Sequence, residues 1–113
     1  MSCLFCKIVA GEIPASKVYE DEELLAFNDI SPQAPTHVLI VPKQHVPTLN
    51  DLTAGHDALV GQMLRRAAAI AKERGIDGPG YRTVFNCNGQ AGQTVFHLHL
   101  HLLGGRAMTW PPG

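Results

Sequence analysis

An excess of charge of either sign is missing from this chain: nine Lys and Arg stand against ten Asp and Glu in 113 residues, a formal net charge of −1. No run of basic residues forms a stripe, which argues against a nucleic-acid grip built on phosphate neutralisation. A single nucleotide is not excluded, because one phosphate needs a local site and not a charged surface. Cysteine is scarce too. Cys3, Cys6 and Cys87 are odd in number and too few for a disulfide scaffold, which points to a reducing, cytoplasmic setting. No apolar run approaches the roughly 18 residues of a membrane span, and Met1–Lys7 lacks the apolar stretch of a secretory signal. Internal repeats, low-complexity segments and linkers are absent as well. What remains is a chain with 45% hydrophobic and 17% charged residues, enough to bury a core as one domain over residues 1–113. A domain of this size leaves much of its surface exposed, so oligomerisation is a reasonable way to bury more.

Periodicity divides the chain into a few elements. Leu4, Phe5, Ile8 and Val9 recur at helical spacing over residues 3–11, with Ser2 as N-cap and Gly11 as stop. Two strands follow, 17–20 and 24–27, joined by the acidic turn Asp21-Glu22-Glu23. Pro32 and Pro35 make 31–35 a loop. The β-branched, nearly continuous apolar run 36–42 then reads as a central strand. The longest periodic stretch runs from about Ala54 to Arg74. Leu59, Met63, Ala67 and Ile70 form one stripe, and Val60, Leu64, Ala68 and Ala71 form a second beside it. Together they give a face wider than one core contact requires. Gly75 ends this helix, 77–80 is a turn, and 81–86 and 95–103 are strands flanking a Gly-rich loop over 88–94. Helix, strands, long helix, strands is the order of an antiparallel α+β domain.

The most informative stretch is His97-Leu98-His99-Leu100-His101-Leu102-Leu103. On a strand the three imidazoles share one face, while Phe96, Leu98, Leu100 and Leu102 point from the other towards the long helix. Core packing explains the leucines and not the histidines. A solvent-facing strand, a zinc site and a phosphate site all suit such a row. Phosphate chemistry is favoured by the loop just upstream, Asn88-Gly89-Gln90-Ala91-Gly92-Gln93-Thr94, whose glycines let backbone N–H groups approach an anion. A neutral imidazole, with an unperturbed pKa of about 6.5, is a nucleophile near neutral pH. It splits displacement at phosphorus into two easier steps. A backbone carbonyl can hold its second nitrogen, and His101, Gln93 and Thr94 can donate to oxygens and leaving group.

The His-apolar-His-apolar-His-apolar-apolar pattern at 97–103 resembles the histidine-triad signature. Asn28–His37, Val41-Pro42-Lys43-Gln44-His45 and the Trp110-Pro111-Pro112-Gly113 end are similar to the Hint branch of that superfamily, nucleotide-binding purine nucleoside phosphoramidases. The similarity covers nearly the whole chain. It implies a five-stranded antiparallel sheet with one short N-terminal helix and one long helix, two such sheets joining across a homodimer. It implies nucleotidylation of His99 followed by release with water, with His101 and Thr94 assisting the leaving group and contacting phosphate. Gly92 and Gln93 would lie beside the phosphate, Asn86 would help bind nucleotide, Asp29 would hold the ribose hydroxyls, Ile30 would line the base pocket, and Trp110 would reach the partner's site. Without the resemblance, Asp29 beside a Ser-Pro turn is equally a turn former. The branch usually has Ser where Thr94 stands; the hydroxyl survives, but the methyl restricts its rotamers. Retention of His101, commonly Gln in the dinucleoside-polyphosphate branch, favours P–N cleavage over hydrolysis of dinucleoside polyphosphates or adenylyl-sulfates. A nucleotide-binding regulator with incidental turnover is the alternative of another class.

Cys3 and Cys6 are spaced to share a helix face and clasp a metal. A redox pair is the other reading, though the βαβ context of such motifs is lacking. The resemblance implies a structural zinc on Cys3, Cys6, His45 and His97, anchoring the first helix, with no cofactor required for the chemistry. His37 is expected to pair within its strand, His56 to be solvated, and Cys87 to be a small buried residue.

Overall fold

The computed structural model describes residues 3–113. Its elements are α1 (Leu4–Val9), β1 (Lys17–Glu20), β2 (Leu24–Asn28), β3 (Thr36–Pro42), α2 (Asp57–Glu73), β4 (Tyr81–Phe85) and β5 (Leu100–Gly104), with short 3-10 turns at Leu49–Asp51, Ala54–His56 and Gly89–Ala91. The strands form one antiparallel sheet in the order β1-β2-β3-β5-β4. The expected α+β architecture, with a short first helix and one long helix, is therefore the observed one.

β3 sits in the middle of that order and all seven of its residues are buried. Its near-continuous apolar sequence follows, because both faces of the strand are covered. On one face Leu24, Ala26, Val38, Ile40, Leu98, Leu100 and Leu102 pack against Leu59, Met63, Ala67 and Ile70 of α2. On the other, Leu25, Phe27, Leu39 and Val41 pack under Phe5 and Ile8 of α1. The strand period of two assigns each side chain to its face. α1 has only six residues, so it covers only part of the second face. Asp29, His37, His99 and His101 collect beside it.

Several boundaries differ from the periodic reading. Ser2 lies outside the described residues, and the N-cap of α1 is Cys3, whose Sγ accepts from the Cys6 amide. Residues 54–56 form a 3-10 turn ahead of α2. His56 is not merely solvated, since its Nδ1 accepts from the Thr53 amide at 2.9 Å and closes that turn. The largest correction falls on the histidine stretch. β5 begins only at Leu100, and residues 95–97 are a bend. Pro42 has no N–H to extend the β3–β5 ladder, which stops at Ile40–Leu100, and the Leu98 amide donates instead to Val46 O. Phe96 is consequently turned out to 48% exposure, while Leu98, Leu100 and Leu102 reach the core as expected. Of the α2 stripes, the first is buried; in the second, Ala71 is buried and Leu64 is 44% exposed.

Gly105 closes the sheet against the loop before β3. It lies at φ +91, and a Cβ there would come within 2.8 Å of the Pro35 ring. Gly105→Ala should lower the unfolding free energy by about 1–3 kcal/mol. An unchanged denaturant midpoint would show that this contact yields freely.

Candidate functional site

The bend at 95–97 gives His97 and His99 different environments. His97 is fully buried. Its Nε2–H donates to Pro42 O at 2.7 Å, which leaves Nδ1 as a bare lone pair. That nitrogen lies 3.2 Å from His45 Nδ1, 3.4 Å from Cys3 Sγ and 3.5 Å from Cys6 Sγ, and Cys6 Sγ is 3.3 Å from His45 Nδ1. In a tetrahedral zinc site the N–N edge is about 3.3 Å and the N–S edge about 3.6 Å, from Zn–N and Zn–S bonds of about 2.05 and 2.3 Å. Four of the six donor–donor distances lie close to those edges, and all four donor atoms are within 4.8 Å of one another. The Pro42 carbonyl on His97 and the Cys6 amide on Cys3 orient two of them, as outer partners of a metal do.

His99 faces the other way. Its Nδ1–H donates to the His97 carbonyl at 2.8 Å, so the proton is fixed on Nδ1 and Nε2 keeps its lone pair. Phe5 stands edge-on to the ring at 5.1 Å and His101 lies 5.0 Å away, centroid to centroid. Burial holds the His99 pKa below the usual histidine value, against the opposing effect of the carbonyl bond. The ring is therefore neutral and nucleophilic near pH 7. It lines a cavity of about 320 Å³ together with His101, Thr94, Asp29, Ile30 and the apolar side of α1.

A third histidine, His37, belongs to this site, and simple strand pairing does not describe it. Its Nδ1 accepts from the Gln33 amide at 3.0 Å, so its proton resides on Nε2. That N–H points at His101 Nδ1, 2.9 Å away, with Asp29 Oδ2 at 3.4 Å. His101 Nδ1 must then accept, which places the His101 proton on Nε2. The chain Gln33 amide, His37, His101 thus presents an N–H donor at its far end. Opposite residues in the β3–β5 register are His37 with Leu103 and Leu39 with His101, so the two imidazoles meet as diagonal neighbours. Sequence reasoning missed this because a lone histidine in a buried strand carries no periodic signal.

Asp29 is a turn former that also reaches the histidine cluster. Oδ1 accepts from the Ser31 amide at 2.8 Å, closing a turn, while Oδ2 faces His37. Ile30 is 99% exposed at the mouth of the cavity. Thr94 is exposed on the cavity wall. Gln93, expected beside a phosphate, is instead a buried brace. Its Oε1 accepts from the Asn88 amide and its Nε2 donates to Pro47 O and Val95 O. Gly92, at φ +88, ends the turn that this brace fixes. Asn86 is half-buried just beyond β4, and Trp110 is exposed with Arg82 5.9 Å from its ring. None of Asn86, Gly92, Gln93 or Trp110 lines the His99 cavity in the single chain. Cys87 is half-buried and free.

An antiparallel sheet, two helices and a buried histidine between two others define a class of protein, and the comparisons agree with it. The family model described as "Scavenger mRNA decapping enzyme C-term binding" matches residues 2–109. A HIT-like protein of Synechococcus elongatus is 54% identical over 97% of this chain and 96% of its own. The purine nucleoside phosphoramidase of Escherichia coli K12 is 50% identical over 93% of this chain and 88% of its own. A HIT family hydrolase from Legionella pneumophila superposes with a TM-score of 0.98 at 57% identity, covering 99% of this chain and 100% of that one. A zinc-bound histidine triad protein from Mycobacterium smegmatis gives 0.80 at 40% identity, covering 94% and 76%. This chain belongs to the histidine-triad (HIT) family of hydrolases.

The His101 pKa is pushed down from 6.5 to about 4, first by burial, then by the neighbouring His99 and His37, with Asp29 opposing. A base protonated less readily when folded adds stability that is complete above its unfolded value and lost as pH falls towards its folded one. Melting temperature should therefore drop as pH falls from about 6.5 to about 4, and His101→Gln should flatten that slope. Equal slopes in the two proteins would show that His101 accepts protons freely in the folded state.

Proposed function

We propose that this chain hydrolyses the P–N bond of AMP-like purine nucleoside phosphoramidates through a nucleotidyl intermediate on His99. The observation that carries this reading is the pairing of an unprotonated His99 Nε2 with the donor edge of His101 on one cavity wall. Its chemical support is that a neutral nucleophile and a hydrogen-bond donor stand ready together. The resemblance to a named phosphoramidase gives the substrate class.

In the first step His99 Nε2 forms a bond to phosphorus as the P–N bond to the amine breaks. The departing nitrogen accepts a hydrogen bond from His101 Nε2–H and leaves as the neutral amine with one proton taken from solvent, while His37 Nε2–H stays bonded to His101 Nδ1 and fixes it as an acceptor. The positive charge on the nucleotidyl-imidazolium matches that proton. In the second step water replaces His99 on phosphorus, giving AMP, and the proton that water releases returns to solvent, leaving His99 neutral as before. The His97 carbonyl keeps Nδ1–H in place throughout. Asp29 would hold the ribose hydroxyls, Ile30 the base and Thr94 a phosphate oxygen. Gly92, Gln93 and Asn86 would support the phosphate loop from outside the cavity wall.

Zinc would be held by Cys3, Cys6, His45 and His97, where it supplies structural cross-linking. The fit of the donor distances to a tetrahedron supports it. A homodimer is proposed on two unpartnered features: β4 ends the sheet order, and Leu64 is 44% exposed on the second stripe of α2. Trp110 would then act in the partner's site. Among the described residues no helix is long and apolar enough to cross a membrane, and a cytoplasmic setting is proposed from the unpaired cysteines.

Rapid mixing with adenosine 5′-phosphoramidate and acid-free mass spectrometry should show a one-AMP adduct that is absent in His99→Ala. Turnover by that variant should fall at least about a thousandfold while AMP still binds. Near-normal turnover in His99→Ala would sink the assignment. Cys6→Ser should lose zinc content and melting temperature together; loss of neither would remove the zinc site.

A further inference from the structure

Cys3 and Cys6 do more than share a helix face. The backbone at Cys3 is extended (φ −76, ψ 119), which turns its side chain back over the first turn of α1, where Sγ accepts from the Cys6 amide at 3.3 Å. The two sulfurs stand within 4.8 Å of each other and of the His45 and His97 nitrogens, and both cysteines are free and half-buried. We propose that Cys3 and Cys6 form a reversible modification site, oxidised to a disulfide by a small hydroperoxide, and that this oxidation empties the zinc site and slows turnover at His99. Zinc release rests on the zinc site proposed above and the slowing on the role given to His99; the disulfide rests on neither.

Three observations carry it. The first is the setting of the pair. A disulfide brings its sulfurs to about 2.05 Å, and both thiols belong to one turn of one helix, so closure asks no distant segments to approach. Cys3 Sγ lies 3.4 Å from His97 Nδ1, a lone pair because the other ring nitrogen donates to Pro42 O. An S–H that donates to an imidazole carries more negative charge on sulfur, the nucleophilic atom.

The second is access. A groove of about 370 Å³ is lined by Cys3 with Leu4, Thr94, Val95 and Phe96. Leu4 and Phe96 are 44% and 48% exposed, and no charged side chain lines the groove. Its ligand is therefore small and uncharged, as a hydroperoxide is. Cys6 does not line it, so Cys3 meets the oxidant and Cys6 resolves the product. In the first step an S–O bond forms on Cys3 as the peroxide O–O bond breaks, and the thiol proton leaves on the alcohol, or on water where the oxidant is hydrogen peroxide. In the second, Cys6 sulfur displaces the hydroxyl of the Cys3 sulfenic acid, an S–S bond forms, and the Cys6 proton leaves in water. The two sulfurs lose two electrons and the peroxide gains them.

The third is the link to His99. A bridge removes two of the four metal donors and leaves His45 and His97 alone, too few for a structural zinc. Phe5, between the cysteines, stands edge-on to His97 at 6.0 Å and to His99 at 5.1 Å. The His97 carbonyl holds His99 Nδ1–H. Closing the first turn of α1 and freeing the His97 ring thus reach the nucleophile from two sides.

The test treats zinc-loaded wild-type protein with hydrogen peroxide. It follows zinc release to a coloured chelator, kcat, and the mass of the tryptic peptide ending at Lys7, which holds Cys3 and Cys6 but not Cys87. The peptide should lose two hydrogens in step with zinc release, kcat should fall at least about tenfold, and dithiothreitol with added zinc should restore all three. Cys3→Ser should form no bridge within that peptide. Thiols that stay intact, or Cys3 carried to sulfinic acid without a bridge, would overturn the site and leave a purely structural clasp. A bridge in protein that never takes up zinc would overturn the zinc site and its release while the disulfide stands. A bridge with kcat unchanged would overturn the link to His99. Absence of turnover before oxidation would overturn P–N cleavage, with peptide mass and zinc release still deciding the modification site.

Discussion

The hydrogen bond from His99 Nδ1–H to the His97 carbonyl is the contact on which both clusters of the molecule turn. It exists because the chain bends before β5 and does not run on as a strand. Had the alternation continued, His97 and His99 would share a sheet face, and the His97 carbonyl would belong to a ladder. The bend releases that carbonyl to a side chain two residues on and sends the His97 ring into the Cys3–Cys6–His45 cluster. One residue thereby serves two sites, with its side chain in one and its main chain in the other. Stabilising the position of His97 also fixes the tautomer of His99.

α1 joins the same two sites by another route. Cys3 and Cys6 lie at its start, and Phe5 between them stands edge-on to His99. A helix of six residues has little stability of its own. Its place depends on what its side chains hold, namely the apolar contacts of Phe5 and Ile8 with β2 and β3 and the four-donor cluster. Sheet, short helix and bend are consequently interdependent, and the cavity is formed where the three meet.

Sequence patterning made the fold legible wherever burial is one-sided and regular. The first stripe of α2 and the continuous apolar run of β3 are examples, since each period leads directly to its packing partner. The His-Leu alternation was legible in its identity and misleading in its extent. Period two is equally consistent with a strand from 95, and only the missing N–H of Pro42 decides where the ladder stops. Cys3, Cys6, His45 and His97 came together as the family resemblance implied, although their spacing alone left a redox pair open. His37 was illegible because its role comes from cross-strand register and from a backbone amide, neither of which leaves a residue-type signature. Gln93 was legible as a loop residue, but its three hydrogen bonds depend on Pro47, which no local pattern connects to it.

The hydrogen-bonded chain through His37 has its origin in a peptide group. The Gln33 amide cannot give up its proton near neutral pH, so it sets the polarity of every link after it, and His101 faces the cavity as a donor whatever side chain stands at position 33. The Gln33 carbonyl, in the next peptide group, accepts from Arg106 Nε–H at 3.0 Å, which holds the residue on its C-terminal side. Sequence drift at position 33 can therefore be wide without reversing the chain of donors. Proline is the exception, because it alone removes the amide proton from which the direction is inherited.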